Sequence, residues 1–320
     1  MLRYIVRRVL WGVLLLWIVS AVIFTIYYVL PSADPAVLRA GRSASPQQVE
    51  AIRHALGLDD PVYLQYWHYM KDLVLHFDFG FSYQSNTEVR ALIFDRLPAT
   101  ALLVAGSVVL WLLIALPVGI ISAVWRRSLL DRTTMVTTLA FISAPVFWLG
   151  LVSLYLFAKD VGQIPIFPGI GSYLDADTFL EKCGSMLLPW AVLAAATAAI
   201  YARYLRSSMI DTMSEDYIRT ARAKGLPERS VIMRHAFRGA VTPIVTLLGL
   251  DIGILLAGNA ILTESVFNIP GVGRLVYTSI QRADLPVIQG VTLFGAFFII
   301  IANLIVDIAY AYLDPRVRYQ

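Results

Sequence analysis

The chain has 320 residues, of which 58% are hydrophobic and 15% charged, with a formal net charge of +4. Soluble domains carry roughly 25% charged residues, so this composition excludes an ordinary soluble enzyme or binding domain and points to a bilayer. In such a chain a basic excess reports membrane sidedness, and no nucleic-acid partner is needed to explain it.

A membrane-crossing helix takes about 20 mostly apolar residues. The first such stretch, 9–30, follows Arg3, Arg7 and Arg8. It starts like a signal peptide, but it has no A-x-A-like cleavage site and outruns the roughly 7–15 apolar residues of a signal core. It is expected to stay as an anchor.

Residues 31–98 read as a folded outer loop. Ser45, Pro46 and Gln48 fit an N-cap, a first helical position and a capping-box partner, and Gly57 fits the closing cap. Val49, Ile52 and Leu56 share one apolar face between them. Then come Tyr63, Tyr66, Trp67, Tyr69, Phe77, Phe79, Phe81 and Tyr83. These aromatics suit an interfacial belt and a docking surface for an external protein equally well.

Spans 99–124 and 134–158 follow, with Pro117 and Pro145 expected to kink them. Span 187–205 is shorter and rich in alanine, which predicts a helix packed closely against neighbours. The lone Cys183 precedes it and cannot form an internal disulfide.

Between Arg203 and Arg238 lie eight of the 26 Lys and Arg residues. Here Ser214 is the expected N-cap, with Glu215 and Asp216 in the favourable first turn. Arg222 and Lys224 sit at the C-terminal end, Gly225 suits a left-handed cap, and Pro227 suits the first position of a second helix. The loop 206–238 therefore reads as two short helices hinged at Gly225. Anionic lipid would account for its charge alone; the caps favour a protein contact.

Spans 240–263 and 287–312 complete six. Asp251 falls near the middle of the fifth, where an ionised carboxylate costs about 2.5–3.5 kcal/mol on insertion scales. It needs a wet cavity, a partner or a proton. Asn259 lies two turns on, on roughly the same face. Both are candidate translocation-path residues, with Asp251 admitting a cationic group such as a peptide N-terminus. A structural hydrogen bond at a subunit interface is an equal alternative for Asp251. Glu264 is expected to reach water at the end of the fifth span, and Asn303 with Asp307 to serve packing in the sixth. Pro270, Gly271 and Gly273 favour a tight turn, and their GxG lacks the third glycine of a dinucleotide fingerprint. His54, His68, His76 and His235 have no ligand spacing, so no metal site is expected.

Six spans put both termini on one side. With that side cytoplasmic, sixteen Lys and Arg lie inside and ten outside, six of the ten in the long 31–98 loop, where the positive-inside rule counts little. The expected arrangement is an all-α membrane protein, N-in and C-in. It divides into an anchor (1–30), an outer loop (31–98) and a five-helix part (99–320) that carries the cytoplasmic loop.

EDYIRTARAKG (215–225) followed by RHAFRGAVTP (234–243) resembles the EAA loop of inner-membrane permease subunits of binding-protein-dependent ABC importers, in the dipeptide/oligopeptide/nickel B-type family. MLRYIVRRVL, GLDDPVYLQYW, DFGFSY, RLPAT, FNIPGVGRL, DLPVIQG and LDPRVR extend the resemblance over the whole length. Two departures stand out against the general motif: Arg219 replaces a Glu, and Arg238 replaces a Pro.

The resemblance implies a type I importer permease fold in a bacterial or archaeal cytoplasmic membrane. It implies a second homologous permease subunit, two ATP-binding subunits that hold ATP and Mg, and an extracytoplasmic solute-binding protein. The docking element for the ATPase is carried over as Glu215, Asp216, Tyr217, Arg219, Thr220, Ala221, Arg222, Ala223, Lys224 and Gly225. The chain has no G-x-x-x-x-G-K-[ST] loop, so the ATP site is expected elsewhere and no cofactor on this chain. Peptides are the implied substrate, with nickel or another chelated metal as the alternative. A stand-alone channel or secondary transporter would predict internal repeats, and none is evident. An intramembrane enzyme would need a constellation such as HExxH or GxSxG, and neither is present.

Overall fold

The structure, a computed structural model, describes residues 2–30, 34–41 and 44–313. Its helices are α1 (Leu2–Phe24), α2 (Pro35–Ala40), α3 (Pro46–Ala55), α4 (Val62–Lys71), α5 (Val89–Val124), α6 (Leu129–Ser143), α7 (Val146–Phe157), α8 (Phe179–Met213), α9 (Asp216–Ala223), α10 (Glu228–Ser230), α11 (Phe237–Ala240), α12 (Thr242–Ile254), α13 (Ile261–Val266), α14 (Val272–Gln281) and α15 (Leu285–Leu313). Among the described residues β pairing is limited to two isolated bridges, Phe81 with Glu88 and Ala158 with Phe167. Five helices are long and apolar enough to cross a membrane, or six if α6 and α7 count as one bent span.

That bend is the kink expected at Pro145, and the bent pair begins at Leu129, earlier than the expected 134. α6 and α7 meet at 100°. Pro145 has no amide hydrogen to donate and pushes the preceding residue out of the helical region, and Ala144 is indeed extended, at φ −83 and ψ 125. Pro117, by contrast, leaves α5 uninterrupted. The alanine-rich span is longer than 187–205, because α8 runs for 35 residues.

The chain folds as two compact units built from discontinuous segments. The first comprises Met1–Thr100, Gly253–Ile261 and Pro270–Leu304. Its core gathers Val89, Ile93, Val272, Leu275, Val287, Val291 and Phe294. Val272 opens α14, and its backbone N–H donates to the buried Thr100 hydroxyl at 2.9 Å, which satisfies one orphan donor of that helix end. The capping box of Ser45 and Gln48 forms as expected, and Gly57 takes φ +64. The aromatic run divides. Tyr66 and Tyr69 pack on Phe24, and Phe79 joins the core, while Tyr63 and Trp67 stay exposed at 77% and 64%. Asp284, buried, accepts from the Ser82 hydroxyl and from the Tyr83 amide at 2.9 Å, pinning the segment before α5 to the corner before α15.

Gly273 does not serve the turn by its own dihedral angle. It serves by close approach: a Cβ there would collide with the Gly258 carbonyl and lie 2.9 Å from the Ile261 amide. Both obstacles are backbone and cannot swing away. Gly273→Ala is therefore expected to destabilise the protein by about 1–3 kcal/mol, the usual range for overpacking. A melting curve of the purified variant in detergent checks this, and an unchanged midpoint would contradict the contact.

The second unit comprises Ala101–Ile252, Leu262–Ile269 and Ile305–Gln320. Its axis is α8, against which α6, α7 and α11 pack. Small residues let backbones meet here: a Cβ on Gly119 would lie 2.9 Å from the Ala202 carbonyl, and one on Gly106 would fall inside the Trp190 indole. Trp190 Nε1 donates to the Leu102 carbonyl at 3.0 Å. Glu264 does not reach water as expected but is fully buried. The side chain of Asp307 lies outside the described residues.

Candidate functional site

The 206–238 loop is built on the end of α8. Ser214 does not cap α9, contrary to expectation. It closes α8, with its N–H donating to Asp211 O at 3.1 Å and its hydroxyl donating to the same carbonyl at 2.7 Å. The N-cap of α9 is Glu215, extended at φ −70 and ψ 150, without a side-chain cap. Asp216 in the first turn and Arg222 in the last complement the helix dipole.

α9 is amphipathic. Ile218 and Ala221, three residues apart, are buried at 0% and 6% exposure, and the helix packs against the turn 231–236. Val231 and Ala236 of that turn are themselves fully buried. Tyr217 lays its hydroxyl against Gly239, where a Cβ would stand 2.7 Å away. The opposite face carries Asp216, Arg219, Thr220, Ala223 and Lys224, all exposed. Arg219 reaches Asp216 at 3.2 Å.

The helix ends in a Schellman motif. Gly225 N–H donates to Arg222 O at 2.9 Å and Leu226 N–H to Ala221 O at 3.4 Å, with Gly225 at φ +74. Across this turn Arg222 grips Glu228 with two bonds, 2.7 and 3.2 Å. The guanidinium hydrogen bond holds the Glu228 carboxyl below the ordinary glutamate range and raises Arg222 in turn. Both side chains are about half exposed, so the clamp shapes the turn more than it stabilises the fold. Pro227 is the N-cap of α10 and not its first residue.

Beneath the loop lies a charged tie that the sequence did not single out. Arg206 of α8 binds Asp131 of α6 through Nε at 2.7 Å and through its terminal nitrogen at 2.8 Å. Asp131, 3% exposed, also accepts from the Ser122 hydroxyl and from the Arg127 amide at 2.9 Å. One carboxylate thus joins the end of α5, the turn after it, the start of α6, and α8. Ser208 adds a bond to Ala240 O at 3.0 Å. These contacts set α8 in place eight residues before Ser214.

The geometry brings together all ten residues expected in the docking element, but Ala221 belongs to its buried side. Ile218, inside the same segment, is its buried anchor, and the pairing of Arg222 with Glu228 had no local sequence signal. Asp251 and Asn259 do not lie on one continuous helical register. Between them the chain forms a π-turn, Leu255–Asn259, and Gly258 takes φ +97. That break ends the helical register on which an eight-residue spacing depends. Among the described residues no group of three or more His, Cys, Asp or Glu side chains gathers to hold a metal.

Residues 115–319 match the family described as the binding-protein-dependent transport system inner membrane component, and residues 1–104 match its N-terminal membrane component. The chain belongs to this family. The permease is 41% identical over 320 residues, the full length of both chains, to the glutathione transport system permease protein GsiC of Escherichia coli strain K12. It has the same identity and coverage to GsiC of Shigella dysenteriae serotype 1, and 40% identity to that of Escherichia coli O6:H1. It is thus an inner-membrane, multi-pass permease subunit of an ABC importer of the peptide/nickel type. Such a system includes a solute-binding protein and ATPase subunits.

Proposed function

We propose that this permease forms one half of the translocation pathway of an ATP-driven importer of small peptides, and that Glu215–Gly225 receives the motion of a separate ATPase. The observation that carries the coupling role is the rooted amphipathic α9. Ile218 and Ala221 seat it on the 231–236 turn, while Asp216, Arg219, Thr220 and Lys224 face outward beside the Schellman turn at Gly225. A helix with one face committed to its own subunit and the other charged and open is suited to transmitting a push. The loop lies in the cytosol in this reading, with both chain ends on that side. A second permease completes the pathway, two ATPase subunits supply ATP and Mg chemistry, and this chain carries no catalysis of its own. The relatives are named for glutathione, a tripeptide with one amine and two carboxylates, which supports a small peptide as cargo.

The test is uptake into proteoliposomes that hold the permease pair and its ATPase, supplied with the binding protein. Labelled di- and tripeptides, glutathione among them, are expected to accumulate only with ATP. If none of them does, the peptide reading falls. Charge reversal at Arg219 and Lys224 together is expected to weaken co-purification of the ATPase by about tenfold, the scale of losing complementary charge at an interface. Undiminished co-purification would move the contact to another face.

A further inference from the structure

Asp251 is the only ionisable side chain in the apolar helix Thr242–Asn259, and it stands near the middle. Its Oδ2 accepts a 2.6 Å hydrogen bond from the Tyr201 hydroxyl. Tyr201 is held rigidly: it is 1% exposed, and its ring packs at 5.7 Å against Trp111, itself fully buried. Asp251 as a residue is only partly buried. Among the described residues no donor reaches Oδ1, and no basic side chain pairs with Asp251.

This is an unusual state for a carboxylate at membrane depth. Facing lipid, the open oxygen would have no partner of any kind. Intramembrane acids otherwise face a bundle interior or a water-filled cavity and mark solute pathways. Here one oxygen is fixed by a buried donor and the other accepts no hydrogen bond among the described residues, which suits a hydrogen-bonding cation.

We propose that Asp251 is a recognition site for the protonated amine of the transported solute, with Tyr201 as the positioning residue that aims its free oxygen. The inference rests on the peptide-importer reading and narrows it to cargo with a free amine. A γ-linked or an ordinary peptide meets that requirement, and an N-acylated peptide does not.

The test is equilibrium binding to the purified permease complex of a fluorescent tripeptide with a free N-terminus, against its N-acetylated form. The wild-type protein is expected to favour the free amine by about tenfold, the worth of one charge-assisted hydrogen bond. Asp251→Asn keeps an acceptor for Tyr201 and nearly the same volume, so it is expected to fold and to lose the preference. Tyr201→Phe is expected to reduce the preference while leaving binding of the acetylated probe unchanged. A purely structural hydrogen bond predicts the reverse: preference intact in both variants, with lower yield of Tyr201→Phe. Equal binding of the two probes to the wild type, or a preference that survives Asp251→Asn, overturns the proposal. Loss of all peptide uptake in proteoliposomes removes the importer reading and this site with it. Uptake without amine preference removes the site alone.

Discussion

Gly225→Pro is expected to reduce ATP-driven uptake to background while leaving the permease inserted and purifiable. Proline fixes φ near −65°, whereas Gly225 sits at +74. Proline also deletes the N–H that bonds Arg222 O at 2.9 Å. It disfavours the helical region for the preceding residue, and Lys224 is at φ −76 and ψ 3. Each of these losses falls on the turn that joins α9 to α10, and together they cost about 3 kcal/mol or more locally. The membrane helices are untouched, so the effect is expected in coupling and not in insertion. Gly225→Ala is the graded control. A Cβ there meets nothing within 4 Å, so only the left-handed conformation is penalised, by about 1–2 kcal/mol. Partial uptake in the alanine variant and none in the proline variant is the expected order. Full uptake in the proline variant would refute a coupling role for this turn.

The second large effect concerns Asp131. Asp131→Ala strands the Arg206 guanidinium, which loses both of its bonds to the carboxylate, at 2.7 and 2.8 Å, and it leaves the Ser122 hydroxyl and the Arg127 amide without their acceptor. Breaking one side of a fully buried ion pair costs about 3–5 kcal/mol; here Asp131 is buried but Arg206 is partly exposed, so a loss at or below the lower end of that range is expected. A clearly lower melting midpoint of the purified protein is the expected reading. The double change Asp131→Leu with Arg206→Met removes both charges and is expected to recover much of that loss, since an apolar pair of similar volume is often neutral. Recovered stability without recovered uptake would show that the tie positions α8 for the coupling loop as well as holding the fold. A single variant as stable as wild type would contradict the clamp.

How much was legible in the sequence follows from how local each signal is. The caps at Ser45 and Gln48 and the left-handed Gly225 were readable because they depend on a few neighbouring residues. Ser214 was misread because serine serves either end of a break, and the decision lay in how far α8 continued past its apolar stretch. Pro145 was recognised as a disturbance, but the size of the bend depends on what α6 and α7 pack against. The GxG at Gly271 and Gly273 was read as turn chemistry, while Gly273 is in fact required by the backbone that crosses it. Asp131 and Arg206 are 75 residues apart, and no periodicity or cap connects them. Glu264 looked peripheral because hydropathy reports position along a helix and not what closes over it.

The residues alone determined that this is a helical membrane chain, where its apolar stretches fall, and that a charged loop turns at a left-handed Gly225. Those properties arise from transfer free energy and from backbone preferences, both summed over short windows. Tertiary structure alone decided which face of α9 is free, which carboxylate ties α8, and which oxygen of Asp251 stays open. Those are questions of burial and hydrogen-bond partnership between distant segments, and only the packed chain brings such segments within bonding distance.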